Sequence, residues 1–308
     1  MSAQPQAPAH VSRLGVVVVN YASHQLLADR LPALRALEAP HDVVVVDNLT
    51  TGAERSAVGA LAHQHGWQVI EADRNLGFGG GMNLGVARAA ELGCDAVLLL
   101  NPDVDVDPAV VEALLDGARR HPGALVSPRI VLPGGRTWFS GGVLQLATGD
   151  LRAGGGPDLT ARGSWLTAAC LLVPLSTWRA VGGFDDRYFM YWEDVDLSWR
   201  AAQQGLPLVV LDDVEVVHHV GGTQSGDAKS PLYFYFNCRN RLLFAAKNLP
   251  RRERLRWLLA TPRASWRVLR RHGGRKRILR SPRVVLGAVR GTLAGVGALL
   301  RPTGAGAG

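Results

Sequence analysis

The sequence predicts an α/β fold with a mostly parallel central sheet and helices on both faces. Short, continuous runs of β-branched and other apolar residues at 14–19, 43–46 and 96–100 are typical of strands buried on both sides. Segments with apolar residues at helical spacing separate these runs. Strands that alternate with helices in this way form parallel sheets through right-handed crossovers.

The elements follow one another with short turns between them, and no internal repeat interrupts them. A glycine-rich turn opens the third helical segment, and Pro108 marks the start of the fourth. The predicted order is strand 14–19, helix 26–37, strand 43–46, helix 54–65, strand 68–70, helix 75–92, strand 96–100, helix 109–121, short antiparallel strands or a loop over 127–158, and strands 165–173 and 208–217.

Polar residues follow three of the predicted strands. Asn20 and Asp47 come directly after the first two, and Asp103 follows the strand that ends at Leu100. Parallel strands present their carboxyl ends at one edge of the sheet, where ligands bind in open α/β folds. We therefore expect these three side chains to converge on one crevice.

The charge distribution divides the chain in two. From Arg239 onward there are 18 Lys and Arg residues and a single acid, Glu253, whereas the preceding part carries a net charge of −9. The composition changes beyond Pro250 to Arg, Leu and Trp. The sequence therefore predicts a flexible leader at 1–12, a globular domain at 13–249 and a basic amphipathic helical extension at 250–308.

Cysteine usage and hydropathy bound the cellular context. Cys94, Cys170 and Cys238 are far apart and have neither zinc-site spacing nor a disulfide framework, which indicates free thiols in a reducing compartment. The N-terminus lacks the features of a signal peptide. The longest apolar stretch, 284–300, contains Arg290 and many small residues, so we do not expect it to span a membrane.

Carboxylates occupy every second position in the segment after the fourth long strand. Asp103, Asp105 and Asp107 would share one face of an extended segment, where Mg²⁺ or Mn²⁺ finds the oxygen ligands it prefers. The alternative is a polar loop that caps the next helix, which is the expected role of Asp107. His218 and His219 end a later strand, and at most one of them should face such a metal, with His218 favoured.

A glycine-rich turn at 75–83 enters a helix. Glycines let a backbone approach a phosphate closely, and free amides at a helix start attract anions. The turn lacks the lysine of a P-loop and the spacing of a dinucleotide fingerprint. We expect it to shape a nucleotide pocket rather than to hold phosphates alone.

The segment 188–200 combines aromatic residues with three carboxylates, Glu193, Asp194 and Asp196, at the start of a predicted helix. A carboxylate at the rim of an apolar pocket is suited to act as a general base. The alternative interpretation is a helix N-terminus whose acidic residues face the helix dipole.

Several ordered motifs together resemble the inverting family 2 glycosyltransferases of GT-A fold, especially the bacterial rhamnosyltransferase-like branch. The resemblance covers about residues 14–247. It rests on Val19-Asn20-Tyr21, Val46-Asp47-Asn48, Asn75-Leu76-Gly77-Phe78-Gly79-Gly80 with Asn83, Leu100-Asn101-Pro102-Asp103, Gly182-Gly183-Phe184-Asp185, Glu193-Asp194-Val195-Asp196-Leu197 and Arg239-Asn240. It implies a metal-dependent transferase that moves a sugar from a nucleotide-sugar to a hydroxyl group, with rhamnose as the candidate sugar.

The resemblance also implies roles for individual residues. Asp194 would be the catalytic base, with Glu193 beside it placing the acceptor, and Asp103 would be the main metal ligand, because Asn replaces the first Asp of the usual Asp-X-Asp motif. His218 would close the metal site, and Asp105 would assist Asp103 as a ligand. The nucleotide site would comprise Asn20, Asp47, Arg74, Asn75, Gly77, Asn83 and Asn101. Three aromatic residues would stack on sugars or pack in the core: Trp165, Tyr191 and Trp192. Arg239 belongs to the matched Arg239-Asn240 motif.

The implied partners are a dTDP-, UDP- or GDP-sugar donor and a glycan or polyprenyl-diphosphate-linked acceptor, with Mg²⁺ or Mn²⁺ as cofactor. Two other functions remain open, a polyprenyl-phosphate glycosyl synthase and a non-catalytic nucleotide- or lipid-binding scaffold. The Glu-Asp-Val-Asp motif favours transfer to a hydroxyl, and the presence of Asp103, Asp194 and His218 together argues against a scaffold.

The basic extension mixes Arg with Trp, Leu, Ile and Val, as in helices that lie on an anionic membrane surface. We therefore expect a cytoplasmic protein, peripheral at the inner face of the cell membrane. A solvated helical cap is the main alternative. Nucleic-acid binding is disfavoured, because no nucleic-acid module is present.

Overall fold

A computed structural model describes residues 11–154, 159–219 and 229–300, and only the backbone of 271–280. Most of the predicted leader at 1–12 and the last residues of the basic extension therefore lie outside the described residues.

The first part of the chain alternates strands and helices as predicted. The elements are β1 (Leu14–Asn20), α1 (His24–Arg30), a 3₁₀ helix (Leu31–Ala36), β2 (His41–Asp47), α2 (Gly52–His65), β3 (Gln68–Glu71), α3 (Gly77–Glu91) and β4 (Ala96–Leu100).

The second part adds shorter strands and the C-terminal helices. The elements are β5 (Val104–Asp105), α4 (Pro108–Arg120), β6 (Leu125–Val131), β7 (Thr137–Phe139), β8 (Gly142–Gln145), β9 (Asp150–Ala153), β10 (Ser164–Trp165), β11 (Cys170–Pro174), α5 (Leu175–Val181), a 3₁₀ helix (Asp186–Tyr188), α6 (Glu193–Gln203), β12 (Leu208–His218), α7 (Pro231–Asn248), α8 (Arg251–Arg280) and α9 (Pro282–Leu300).

The central sheet has the order β3-β2-β1-β4-β11-β6-β12-β5, with β7 paired to β6. Strands β3, β2, β1 and β4 are mutually parallel, β12 is parallel to β6, and β11 inserts antiparallel between β4 and β6. A small antiparallel sheet, β10-β8-β9, includes two strands from the segment 127–158, for which short antiparallel strands or a loop were predicted. The predicted mostly parallel α/β architecture is confirmed.

The parallel half of the sheet is buried on both faces, which explains its apolar strands. Residues 16–18 of β1, 44–46 of β2 and 96–99 of β4 are fully buried. Helix α3 lies so close to β1 that a Cβ atom at Gly85 would collide with the Val17 side chain. The register pairs Asn20 with Asp47 and Val18 with Leu100, so the polar strand ends do meet at one edge.

Helix α8 shares a core with the segment 188–200, which contains the aromatic residues and the three carboxylates. Trp257 is fully buried and packs against Trp192 and Phe244, while its Nε1 donates to the Leu146 carbonyl at 2.7 Å. Arg241 of α7 donates to the Thr148 carbonyl at 2.6 Å. The boundary predicted after residue 249 thus falls between two helices with common packing.

Helix α9 packs along α7 through a glycine face. Three glycines of α9 lie against the carbonyls of successive turns of α7: Gly287, Gly291 and Gly295. A Cβ atom at any of these positions would collide with a carbonyl oxygen. By length and composition alone, α9 meets the requirements of a membrane span, with a mean hydropathy of 1.5 and 22% of the span buried. Because helices that do not cross a membrane can also meet these two criteria, the expectation that 284–300 does not span a membrane stays a prediction.

Candidate active site

The end of β4 and the end of β12 bring a carboxylate and an imidazole together. Asp103 Oδ1 lies 3.0 Å from His218 Nε2, and both side chains are buried. The main chain supports this pair, because the His219 N–H donates to the Asp103 carbonyl at 2.9 Å. The Asp103–His218 pair joins two of the residues predicted to bind a metal.

Asp105 and His219 form a separate pair on the neighbouring positions. Asp105 Oδ2 lies 2.6 Å from His219 Nε2, and its other oxygen accepts from Arg30 Nε at 2.6 Å. Adjacent residues on a strand face opposite sides, so the two pairs separate. Asp105, predicted as a metal ligand, is occupied by these two partners.

Two buried polar atoms at the Asp103–His218 pair have no hydrogen-bond partner among the described residues, His218 Nδ1 and Asn101 Oδ1. Trp138 packs its ring edge-on to His218, with centroids 4.6 Å apart. A carboxylate, an imidazole and an amide oxygen suit Mg²⁺ or Mn²⁺. Within the described ranges no cluster of three or more His, Cys, Asp or Glu side chains forms, so further ligands would have to come from a bound diphosphate or water.

The ends of β1 and β2 carry a buried polar network. Asn20 Nδ2 donates to Asp47 Oδ1 at 3.3 Å and to Glu54 Oε1 at 3.1 Å, and Arg55 Nε donates to Asp47 Oδ2 at 2.8 Å. Burial alone would raise the pKa of Glu54, but hydrogen bonds from His24 and Asn20 lower it below the ordinary value. Asn20 and Asp47 therefore build the floor of the crevice.

Glu54 was not among the residues predicted to belong to the site. A signal for it was present, because Thr51 and Glu54 have the spacing of a capping box at the start of α2. Thr51 Oγ1 does accept from the Glu54 N–H at 3.1 Å. The Glu54 carboxylate, however, turns to Asn20 and His24 instead of back to Thr51.

The glycine-rich turn is shaped by two asparagines. Asn48 donates to Asn75 Oδ1 at 3.1 Å and to the Gly77 carbonyl at 3.0 Å, and it accepts from the Leu76 N–H at 2.8 Å. Asn48, part of a matched motif but given no role, is thus a main organiser of the turn. Arg74 is exposed and forms no hydrogen bond or ion pair with the part of the chain described, so its guanidinium is available.

Asn83 holds the turn before α6 rather than the glycine-rich turn. Its Nδ2 donates to the Phe184 carbonyl at 2.9 Å and to Asp186 Oδ1 at 2.7 Å, while its Oδ1 accepts from the Phe184 N–H at 2.9 Å. Both ends of the amide are therefore engaged within the protein.

Helix α6 begins with the two carboxylates assigned to catalysis. Glu193 is 6% exposed, its Oε2 has no hydrogen-bond partner among the described residues, and burial raises its pKa well above the ordinary value. Burial also raises the pKa of Asp194 to about 6, against the opposing effect of hydrogen bonds from the Val195 and Ala168 N–H groups and the Thr167 hydroxyl. Asp194 lies in the first turn of α6, where the helix dipole favours the carboxylate, but desolvation is the larger effect. With a pKa of about 6, Asp194 is still mostly ionised at pH 7.

Asp194 and the Asp103–His218 pair belong to adjoining segments. The Asn101 N–H donates to the Ala169 carbonyl at 2.9 Å, and the preceding N–H, of Ala168, faces the Asp194 carboxylate. The segment directly before β11 thereby contacts both the Asp194 carboxylate and the residues that lead to Asp103. That Asp103 and Asp194 share one cleft stays a prediction, which these contacts of residues 167–169 support.

Comparisons with known proteins agree with this geometry. Residues 15–159 match the model of glycosyl transferase family 2. The chain is 34% identical, over 71% of its length and 80% of the relative's, to N-acetylglucosaminyl-diphospho-decaprenol L-rhamnosyltransferase of Mycobacterium tuberculosis. It is 29% identical to a galactofuranosyltransferase of Mycolicibacterium smegmatis, over 88% of this chain and 99% of the relative.

The chain belongs to glycosyl transferase family 2. Its fold is also that of a mannosyltransferase from Pyrobaculum calidifontis solved with GDP-Man and Mn²⁺, at a TM-score of 0.57 and 15% identity, covering 95% of this chain and 88% of the other. The predicted family, the GT-A-like fold and the glycosyltransferase activity are confirmed.

The predicted acceptor aromatics of this family 2 glycosyltransferase lie in different environments. Trp165 is half-buried against Phe139, and its Nε1 has no hydrogen-bond partner in the described ranges. Tyr191 is half-buried with its ring edge-on to Tyr233. Trp192 is 4% exposed and packs in the core against Trp257, which is the packing alternative considered for it.

The third carboxylate of the motif, Asp196, is structural in this glycosyltransferase. It is fully buried and accepts hydrogen bonds from Tyr188 Oη at 3.0 Å, Arg200 Nε at 2.8 Å and Lys247 Nζ at 3.0 Å. The i,i+4 spacing of Asp196 and Arg200 was a signal for this pairing. The motif thus divides into two carboxylates at the site and one that anchors α6 to α7.

Proposed function

We propose that this glycosyltransferase transfers a sugar from a nucleotide-sugar to a hydroxyl group by single displacement with inversion at the anomeric carbon. The observation that carries the proposal is the position of a carboxylate with raised pKa, Asp194, next to the segment that holds the Asp103–His218 pair. One group is suited to take a proton and the other to face a charged leaving group.

In the proposed reaction, the acceptor oxygen attacks the anomeric carbon as Asp194 takes its proton. The new bond to the acceptor oxygen forms while the bond to the diphosphate oxygen breaks, and the nucleoside diphosphate leaves with the bonding electrons. Glu193, whose Oε2 has no hydrogen-bond partner among the described residues and whose pKa is raised by burial, is suited to contact the acceptor beside Asp194. Removal of the acceptor proton by a positioned base contributes typically about 10²–10⁴-fold.

The residues Asp103, His218 and Asn101 would hold Mg²⁺ or Mn²⁺ in this proposal. When bound there, the ion neutralises negative charge on the diphosphate leaving group. Asp105 is left out of the ligand set because Arg30 and His219 occupy both of its oxygens.

We propose an activated rhamnose, dTDP-rhamnose, as donor and a polyprenyl-diphosphate-linked sugar as acceptor, in cell-wall or polysaccharide biosynthesis. The support is the relative named as an L-rhamnosyltransferase acting on N-acetylglucosaminyl-diphospho-decaprenol. Asn20 and Asp47 would form the floor of the nucleotide pocket, because their polar atoms are engaged internally. Exposed Arg74 and the turn at Asn75 and Gly77 would face the nucleotide directly.

The test is a transfer assay with N-acetylglucosaminyl-diphospho-decaprenol and separate dTDP-rhamnose, UDP-galactofuranose and GDP-mannose donors, with and without EDTA. We expect turnover with dTDP-rhamnose, loss with EDTA and recovery with Mn²⁺ or Mg²⁺. Asp103→Asn should abolish transfer, whereas Asp107→Asn, which alters only an exposed helix N-cap, should retain it. Full activity of Asp103→Asn would contradict the proposed site.

We further propose that helices α8 and α9 dock on an anionic membrane surface. Among the described residues, most large exposed hydrophobic side chains lie on the last three helices: Leu232, Leu255, Leu259, Trp266, Leu286, Val289, Leu293 and Leu300. Such a concentration is unusual for solvent-facing helices.

The exposed side of α9 is an apolar stripe with a basic border. Leu286, Val289, Leu293 and Leu300 are spaced to share one helix face, opposite the glycine face that packs on α7. Arg283 and Arg290 are exposed beside this stripe, and α9 has no acidic residue.

The exposed side of α8 has the same character. Leu255, Leu259 and Trp266 share one face and are 48–73% exposed, and exposed arginines, including Arg256 and Arg263, alternate with them. Apolar side chains interleaved with guanidinium groups match acyl chains beneath anionic headgroups.

Vesicle flotation tests the membrane proposal. The full chain should float with phosphatidylglycerol-containing vesicles and much less with pure phosphatidylcholine, and Leu259→Glu with Leu293→Glu should abolish flotation. Leu49→Gln, an exposed leucine outside these helices, is the matched control. Absence of flotation with either vesicle, or preferential retention by DNA or RNA, would refute it.

A further inference from the structure

The turn before α6 has an unusual backbone. Of the five non-glycine residues with positive φ in the described part of the chain, three lie in this turn: Phe189 at 64°, Tyr191 at 66° and Trp192 at 76°. Bulky L-residues rarely adopt this conformation, and they keep it only where surrounding contacts determine it. The turn ends at Trp192, directly before Glu193 and the proposed base.

One side chain of α7 holds most of this turn. Asn240 is fully buried, and its Nδ2 lies 2.9 Å from the Tyr188 carbonyl oxygen and 2.8 Å from those of Met190 and Tyr191. The Asn240 Oδ1 accepts from Arg239 Nη1 at 2.7 Å, which fixes the orientation of the amide.

The remaining carbonyl of the turn, that of Phe189, accepts a hydrogen bond from the start of helix α3. The Phe189 oxygen accepts from the Phe78 N–H at 2.8 Å, and the close approach leaves no room for a Cβ atom at Gly77. The four carbonyls from 188 to 191 thus all have donors outside the turn: the two N–H groups of the Asn240 amide serve three of them, one N–H being shared by two carbonyls, and the start of α3 serves the fourth. The left-handed backbone follows from these contacts rather than from local preference.

We propose that Asn240 is a positioning residue for transfer, holding the left-handed turn so that α6 presents Asp194 to the acceptor. The proposal rests on the proposed role of Asp194 as base. Asn240 touches no reacting atom in it and acts only through the backbone of residues 188–191. It also gives a function to the Arg239-Asn240 motif, since Arg239 orients the amide and donates to the Arg187 carbonyl at 2.8 Å.

An aspartate at position 240 has the same shape as asparagine but cannot donate, and its charge would face three carbonyl oxygens. Asn240→Asp and Asn240→Ala should therefore release the turn. We expect kcat for transfer from dTDP-rhamnose to fall at least tenfold, while KM for dTDP-rhamnose changes less than about threefold. Asn237→Ala is the matched control on the same helix, because the Asn237 side chain donates only within α7.

A second substitution distinguishes positioning from general loss of packing. Glycine adopts positive φ without steric cost, so Phe189→Gly combined with Asn240→Ala should recover part of the lost kcat. Wild-type kcat in Asn240→Asp, or a KM increase that accounts for the whole defect, would overturn the proposal.

An activity-independent measurement separates this proposal from the proposed function. Hydrogen exchange of the full chain should be faster over residues 186–196 in Asn240→Ala than in the wild type, and unchanged over β1 and β2. Unchanged exchange in that segment would refute the positioning role even if the wild type proved inactive with every donor. Wild-type inactivity with all donors would count against the proposed function instead.

Discussion

Replacing Asp194 with asparagine should abolish transfer and at the same time stabilise the protein. The folded-state pKa of about 6 lies above the ordinary value of 3.8, because burial disfavours the carboxylate. This difference corresponds to at most about 3 kcal/mol of stability lost at neutral pH, and we expect about 1–2 kcal/mol because Asp194 is partly exposed. Asparagine keeps an oxygen for the Val195 N–H without the buried charge.

The sign of the pH dependence follows from the same shift. Between pH 3.8 and 6 the folded protein binds the proton of Asp194 more tightly than the unfolded chain does, so the stability penalty grows over this window as pH rises. The Tm advantage of Asp194→Asn should be full above pH 7 and disappear towards pH 4. Thermal unfolding of both proteins between pH 4 and 8 measures it.

Transfer activity should fall as the pH is lowered, because only the ionised carboxylate of Asp194 can act as the base. With a pKa of about 6, the base form falls from about 90% at pH 7 to about 10% at pH 5, so wild-type kcat should decrease about tenfold over this range. Asp194→Asn should lower kcat by about 10²–10⁴ at pH 7. Wild-type turnover in this variant, or a wild-type profile that stays flat down to pH 5, would refute the assignment of Asp194 as base.

Three further substitutions test the packing around the site. Gly77→Ala should lose transfer activity and stability, because it adds a collision with a carbonyl to the cost of a left-handed φ, whereas Gly66→Ala, with φ 75° and open space, should lose only about 1–2 kcal/mol in urea unfolding. Trp257→Ala should cost about 3–5 kcal/mol, and Trp266→Ala, 48% exposed, within about 0.5 kcal/mol; equal Tm values would disprove the shared core of α8. Asp196→Asn should cost about 1–3 kcal/mol, because it removes the charge of a fully buried carboxylate that accepts hydrogen bonds from half-buried Arg200 and Lys247; urea unfolding measures the loss, and wild-type stability would rule out the anchoring role.

The sequence itself predicted the alternating elements, the parallel half of the sheet and the convergence of Asn20 with Asp47. These features follow from local periodicity and from the geometry of parallel strands, which places their carboxyl ends together. The favoured pairing of His218, not His219, with Asp103 also agrees with the structure, although alternation along a strand could not choose between them.

Only the tertiary structure decided which polar groups are available for chemistry and which are used by the protein. Glu54, Asn48 and Asn240 act across distances of many residues in the chain, so no local pattern reveals their partners. Likewise, the pKa of Asp194 depends on burial by segments around Thr167 and Ala168, and this outweighs the helix dipole that its own sequence suggested. Local sequence sets where a strand or helix begins, but desolvation and hydrogen bonding are properties of the assembled fold.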